Sequence, residues 1–156
     1  MPLLRSSAPQ KWRDYWQRLR ALPIHEARAE AAGLLSKRDA FATTEGLPEP
    51  ERFKNWAPEL QALLGRYELI ECQTGDARIS RSQIRPVAGD AEFTAIGSNE
   101  NATVVVRPGE DTIYELDAKG NAPPWLAAPL PSLWHWILWT HFVNEMDPTS
   151  STRDKS

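Results

Sequence analysis

The residues of this chain that could do chemistry are few and scattered. His135 and His141 lie six positions apart in an apolar run, which puts them about 120° from each other on a helix, too far round to share a metal ion without distortion. His141 and Glu145 form an i, i+4 pair, but two ligands fall short of the three or four a zinc site needs. His25 sits among charges and reads as a solvated helix residue. Cys72 is the single cysteine, so it can form neither an internal disulfide nor a cysteine-based zinc site, and YELIECQT around it reads as a strand with a packed thiol. The acidic pair Glu110-Asp111 falls in a hairpin turn, where exposure argues against general-acid work. The chain has no Walker loop, GxGxxG, GxSxG, HExxH or CxxC pattern. These residues predict a non-enzyme, with no catalytic residue, no metal and no cofactor.

The elements that would position such groups begin with an amphipathic helix after Ser6, Ser7 and Pro9. Trp12, Tyr15, Trp16, Leu19 and Leu22 recur at helical spacing and make an aromatic seam, while Lys11, Arg13, Asp14, Gln17, Arg18 and Arg20 take the other face. Pro23 opens a second helix through IHEARAEAAGLL. From Ser36 to Pro50 polar and turn-forming residues predict a loop, broken by a short turn at Ala40 and Phe41. Helical spacing returns at Phe53, is interrupted near Trp56, and continues from Pro58 to Leu64, with Gly65 fitting a left-handed helix end.

The periodicity then changes to that of strands. YELIEC, ARIS, FTAIG, ATVVVR and TIYELD predict about five short strands, mostly antiparallel, with turns at TGD, SNEN and PGED. Asn99 and Asn101 suit left-handed turn positions, and Pro108-Gly109 marks the ATVVVR to TIYELD hairpin. APPW and APLP predict a proline-rich crossover into a last helix, Pro131 to Met146, with Ser132 as its cap. At 100° per residue this helix is apolar on more than one side, so its second side must meet the first helix, a partner protein or another copy of the chain.

The chain has 156 residues, 41% apolar and 25% charged, which suits one domain over residues 1–147 with a disordered tail at 148–156. Thirteen prolines and seven tryptophans predict short elements and aromatic packing. Charge is uneven: residues 1–66 hold 11 basic against 8 acidic side chains, whereas residues 67–147 hold 5 against 12. An acidic second half disfavours nucleic acid and favours a basic partner. The longest apolar run is too short to span a bilayer and the start lacks a signal-like apolar stretch, so no membrane contact is expected and the chain is read as cytoplasmic.

The order WAPELQALL, GRYELIE, ARISRSQIRP, FTAIGSNENATVVV, DTIYELD and a C-terminal amphipathic helix resembles the SUKH superfamily over residues 56–146, beyond an N-terminal helical part at 8–35. That superfamily includes fungal cell-wall assembly regulators and bacterial immunity proteins. The ending LWHWILW departs from its usual last helix. The resemblance implies an α+β domain with helices on one face of a largely antiparallel sheet. It also implies a protein that binds and neutralises a cognate bacterial toxin, such as a basic nuclease or deaminase domain. On that reading Glu110, Asp111, Glu115 and Asp117 form an acidic contact surface, with Trp134 and Ile137 as apolar anchors unless they pack against Trp12 and Trp16. An adaptor or chaperone for a secreted effector, and a regulatory scaffold that forms a homodimer, stay open beside it.

Overall fold

A computed structural model describes residues 10–87, 90–100, 102–117 and 129–146 of the chain. The expected APPW crossover, the tail and the cap residues before Gln10 lie outside the described residues. The domain is α+β, with five α-helices against an all-antiparallel seven-stranded sheet among the described residues.

Helix α1 (Gln10–Ala21) and helix α2 (Ile24–Leu35) come first, as the spacing predicts. The expected loop over 36–50 instead contains strand β1 (Phe41–Glu45), and the short helix α3 (Pro50–Phe53) follows it, ending at the residue where helical spacing is expected to return. FATTE has one apolar side chain to bury and three exposed polar ones, so alternation is invisible until a neighbouring strand pairs with it. Helix α4 (Pro58–Leu64) has its predicted bounds. Gly65 is a correction: with φ −73° it is right-handed, and a Cβ there would run into the Gln61 carbonyl.

Strands β2 (Tyr67–Cys72), β3 (Arg78–Ser80), β4 (Arg85–Val87), β5 (Asp90–Asn99), β6 (Ala102–Val106) and β7 (Ile113–Leu116) complete the sheet. Its order is β1-β2-β3-β5-β6-β7, with β4 also paired to β5. Two strands, β1 and β4, therefore exceed the expected five. Among the described residues of the β5–β6 turn the left-handed one is Glu100, φ 54°, rather than Asn99, and Asn101 lies outside the described residues. At Gly97 a Cβ would strike the Arg78 carbonyl on β3, so only glycine lets β3 lie this close to β5.

Helix α5 (Leu133–Met146) is the axis of the core, buried from Leu133 through Thr140. Ser132 caps it, its Oγ accepting the His135 N–H at 3.3 Å. The second apolar side of α5 meets the α1 seam: Trp16 stands edge-on to Trp139 at 5.0 Å and Tyr15 stacks on Phe142 at 4.0 Å. The other side, with α2 and α4, covers Ile70, Ile79, Val104, Val106 and Ile113 of the sheet. His135 is buried within this layer: Nε2 donates to the Leu22 carbonyl at 2.8 Å, which leaves Nδ1 to accept from the Ser132 hydroxyl at 2.7 Å. Burial pushes its pKa down, against a smaller upward pull from the Leu22 carbonyl.

Candidate interaction surface

The six residues expected to meet a partner are not brought together. Strand alternation puts Ile113 and Glu115 on the helix side of β7, so Glu115 is 3% exposed. Its carboxylate accepts from Trp136 Nε1 at 2.8 Å and from Asn99 Nδ2 at 3.3 Å. Burial raises its pKa, the two hydrogen bonds acting the other way. Glu115 joins the sheet to α5 and offers nothing to a partner.

Trp134 and Ile137 are corrected in the same way, at 7% and 0% exposure. Trp134 Nε1 donates to Glu59 Oε1 at 2.6 Å, and Arg28 closes on the same carboxylate at 2.8 Å. Two tryptophans two residues apart on α5 are thus each tied by a glutamate, one on α4 and one on β7. Ile137 fills the core beside them.

The acidic turn also has structural work. The Pro108 carbonyl accepts the Ala57 N–H at 2.6 Å, and Asp111 Oδ1 accepts the Glu59 N–H at 3.2 Å. Local residues cannot cap α4, because Ala57 has no polar side chain, so the hairpin turn supplies the cap from 52 residues away. Asp111 is half-buried and its pKa is raised, chiefly by burial. Glu110 alone is exposed, 3.8 Å from Arg107. Asp117, half-buried, lies just past the opposite end of β7.

What the sheet does present is the face turned from the helices. The register of β5, β6 and β7 puts Phe93, Ala95, Val105, Arg107, Tyr114 and Leu116 there, of which Ala95 and Val105 are buried and the other four half-buried. None of the six belongs to the helix-side core. Phe93 and Tyr114 meet edge-on at 5.0 Å, and the Arg107 guanidinium lies 4.7 Å and 5.3 Å from their ring centres while donating to the Tyr114 hydroxyl at 2.9 Å. Glu92 and Glu110 lie on either side of that guanidinium. Toward β2 and β3 the same face continues into an open groove of about 700 Å³ with Leu69, Arg78 and Ser80 in its wall.

Sequence reasoning passed over Phe93, Arg107 and Tyr114, although the signal was present. The alternation that makes Ile113 a core residue makes Tyr114 its opposite, and Arg107 follows Val105 on that same outward face.

The outer face also borders the buried Arg81, 6% exposed. Its guanidinium donates to the Leu64 carbonyl at 2.8 Å and the Leu47 carbonyl at 2.7 Å and pairs with Glu49 at 3.0 Å. These contacts fasten the 46–49 segment to the end of α4.

Among the described residues no group of three or more metal-binding side chains occurs, and no helix is long and apolar enough to cross a membrane. Comparison with protein-family models, curated proteins and solved structures finds no match.

Proposed function

We propose that the chain is a protein-binding module of the immunity type, which neutralises a cognate bacterial toxin, a basic nuclease or deaminase domain, by docking on it. The single observation that carries the reading is the cluster of Phe93, Tyr114 and Arg107 on the sheet face opposite the helices, with carboxylates at its rim. Aromatic residues and arginine are the side chains that dominate binding energy at protein interfaces, and rim acids speed encounter with a basic surface. The ordering of strands that resembles the SUKH superfamily supports the same reading. The contact surface is accordingly moved from the helix-side residues to the outer face.

The test is capture of partners from the native host with the wild-type chain and with Phe93→Ser and Arg107→Ala, followed by mass spectrometry. One stoichiometric partner that carries a nuclease-like or deaminase-like domain, whose activity falls when the wild-type chain is added and whose affinity drops at least about tenfold in both variants, is the expected result. Capture of a secretion component or of a non-catalytic effector segment would replace this reading with an adaptor or chaperone role.

A further inference from the structure

The turn that carries Arg107 is longer than a hairpin turn needs to be. Six residues, 107 to 112, join β6 to β7, where hairpin loops commonly have about two to five. Within it the Glu110 N–H donates to the Arg107 carbonyl at 2.8 Å, and a Cβ added at Gly109 would meet nothing within 4 Å, so the tip stands clear of the body. Support comes from outside, at the start of α4. The Pro108 carbonyl accepts the Ala57 N–H, and the Asp111 carboxylate accepts the Glu59 N–H with the Leu60 N–H acting on it in the same sense.

These bonds close on a fixed post. Glu59 gives its main chain to the turn and its side chain to Trp134 Nε1 and Arg28, so one residue of α4 ties the turn to α5 and α2. Pro58 contributes no N–H, which makes Glu59 the first backbone donor of the helix itself. Arg107 leaves the sheet immediately before Pro108, and its guanidinium reaches back over the Phe93 and Tyr114 rings with Glu110 of the same turn beside it.

We infer that Asp111 is the positioning residue of the outer face: by clamping the 107–112 turn to α4 it holds Arg107 over Phe93 and Tyr114 before a partner arrives. Ordering a long side chain in advance removes an entropy cost that binding would otherwise bear. A direct contact role for Asp111 has a different signature. A charge that meets a basic partner is lost equally in Asp111→Ala and Asp111→Asn. An acceptor for the Glu59 N–H is lost only in Asp111→Ala, because asparagine keeps a side-chain oxygen in the same place. The Glu59 carboxylate repels the Asp111 charge, so asparagine also relieves that repulsion. For binding, the inference rests on the outer face being the contact surface; the placement of Arg107 is a property of the free chain, and the two can fail separately.

The test is NMR of the free full chain, reading the Arg107 Nε–Hε signal and side-chain protons, which the two nearby rings shift from their ordinary positions. Asp111→Ala should lose more than about half of that shift, with a lower heteronuclear NOE at Nε, while Asp111→Asn matches the wild type. Asp111→Glu keeps the charge but displaces the oxygen by one carbon, so it should fall between them, and it serves in place of the alanine variant if that fails to fold. An Arg107 signal unchanged in both Asp111→Ala and Asp111→Glu overturns the inference, as does an asparagine variant that loses the shift as fully as alanine. With the partner captured by the wild-type chain, affinity should drop about fivefold in Asp111→Ala and stay within about twofold in Asp111→Asn. Equal losses in the two make Asp111 a charge contact and overturn its positioning role.

Discussion

The two faces of the β6–β7 hairpin put the same kinds of side chain to opposite uses. On the inner face a carboxylate, Glu115, and an indole, Trp136, are buried together and hold sheet to helix. On the outer face Arg107 lies over Phe93 and Tyr114, with Glu110 at its edge. The difference teaches that acidity and aromaticity along a strand do not by themselves mark a binding surface. Parity along the strand decides whether such a residue is a structural tie or an accessible group.

The largest expected effect comes from cutting the inner tie. Glu115→Ala leaves Trp136 Nε1 and Asn99 without an acceptor in a sealed site and should cost about 3 kcal/mol in urea unfolding. Glu115→Gln keeps an acceptor for Trp136 and should cost much less. The pH dependence separates them further. A carboxyl whose folded pKa is raised contributes stability present below its unfolded value, 4.5, and lost as pH rises through the folded value. The Gln variant should therefore lose less stability than wild type as pH climbs from 4.5; an identical slope would mean that Glu115 is not the group responsible.

His135 should act in the reverse direction, with a smaller effect. Its folded pKa lies below the ordinary 6.5, so its contribution is present above 6.5 and is lost as pH falls toward the folded value. Protonation would oppose the Ser132 hydroxyl that donates to Nδ1. His135→Ala is expected to cost about 2 kcal/mol at pH 7.5 and to flatten the acid side of the profile, as followed by urea midpoints between pH 5 and 7.5.

Next in size is Glu59→Ala, which frees the Trp134 indole and the half-exposed Arg28 together. A loss of about 1–2 kcal/mol in thermal unfolding is expected, most of it from the tryptophan because the arginine is screened by solvent. The smallest stability effect belongs to the outer face. Arg107→Ala should change the unfolding free energy by under about 1 kcal/mol while lowering partner affinity at least tenfold by calorimetry. A large stability loss there with unchanged affinity would erase the contrast between the faces.

Much of the fold was legible because periodicity is local. The seam of α1, the Pro58–Leu64 helix, the five principal strands and the Ser132 cap each follow from neighbours within one or two turns of chain. The candidate surface was not. Glu110, Asp111, Glu115 and Asp117 look alike in sequence, yet one is exposed, one caps α4, one is buried and one is half-buried at the far end of its strand. Strand β1 was missed for a related reason, since FATTE has too little apolar alternation to be recognised until β2 pairs with it.

The sequence by itself determined an α+β domain, the order of its elements, the acidity of its second half and the two-sided apolar character of its last helix. These depend on residue type and spacing, which the chain carries along its length. Only the tertiary structure decided which glutamates became ties for Trp134 and Trp136, that a hairpin turn caps a helix 52 residues earlier, and which sheet face stays clear of the helices. Those outcomes depend on which distant groups come within hydrogen-bond reach: the indoles of Trp134 and Trp136 and the Glu59 amide find carboxylates that only the packing brings to them.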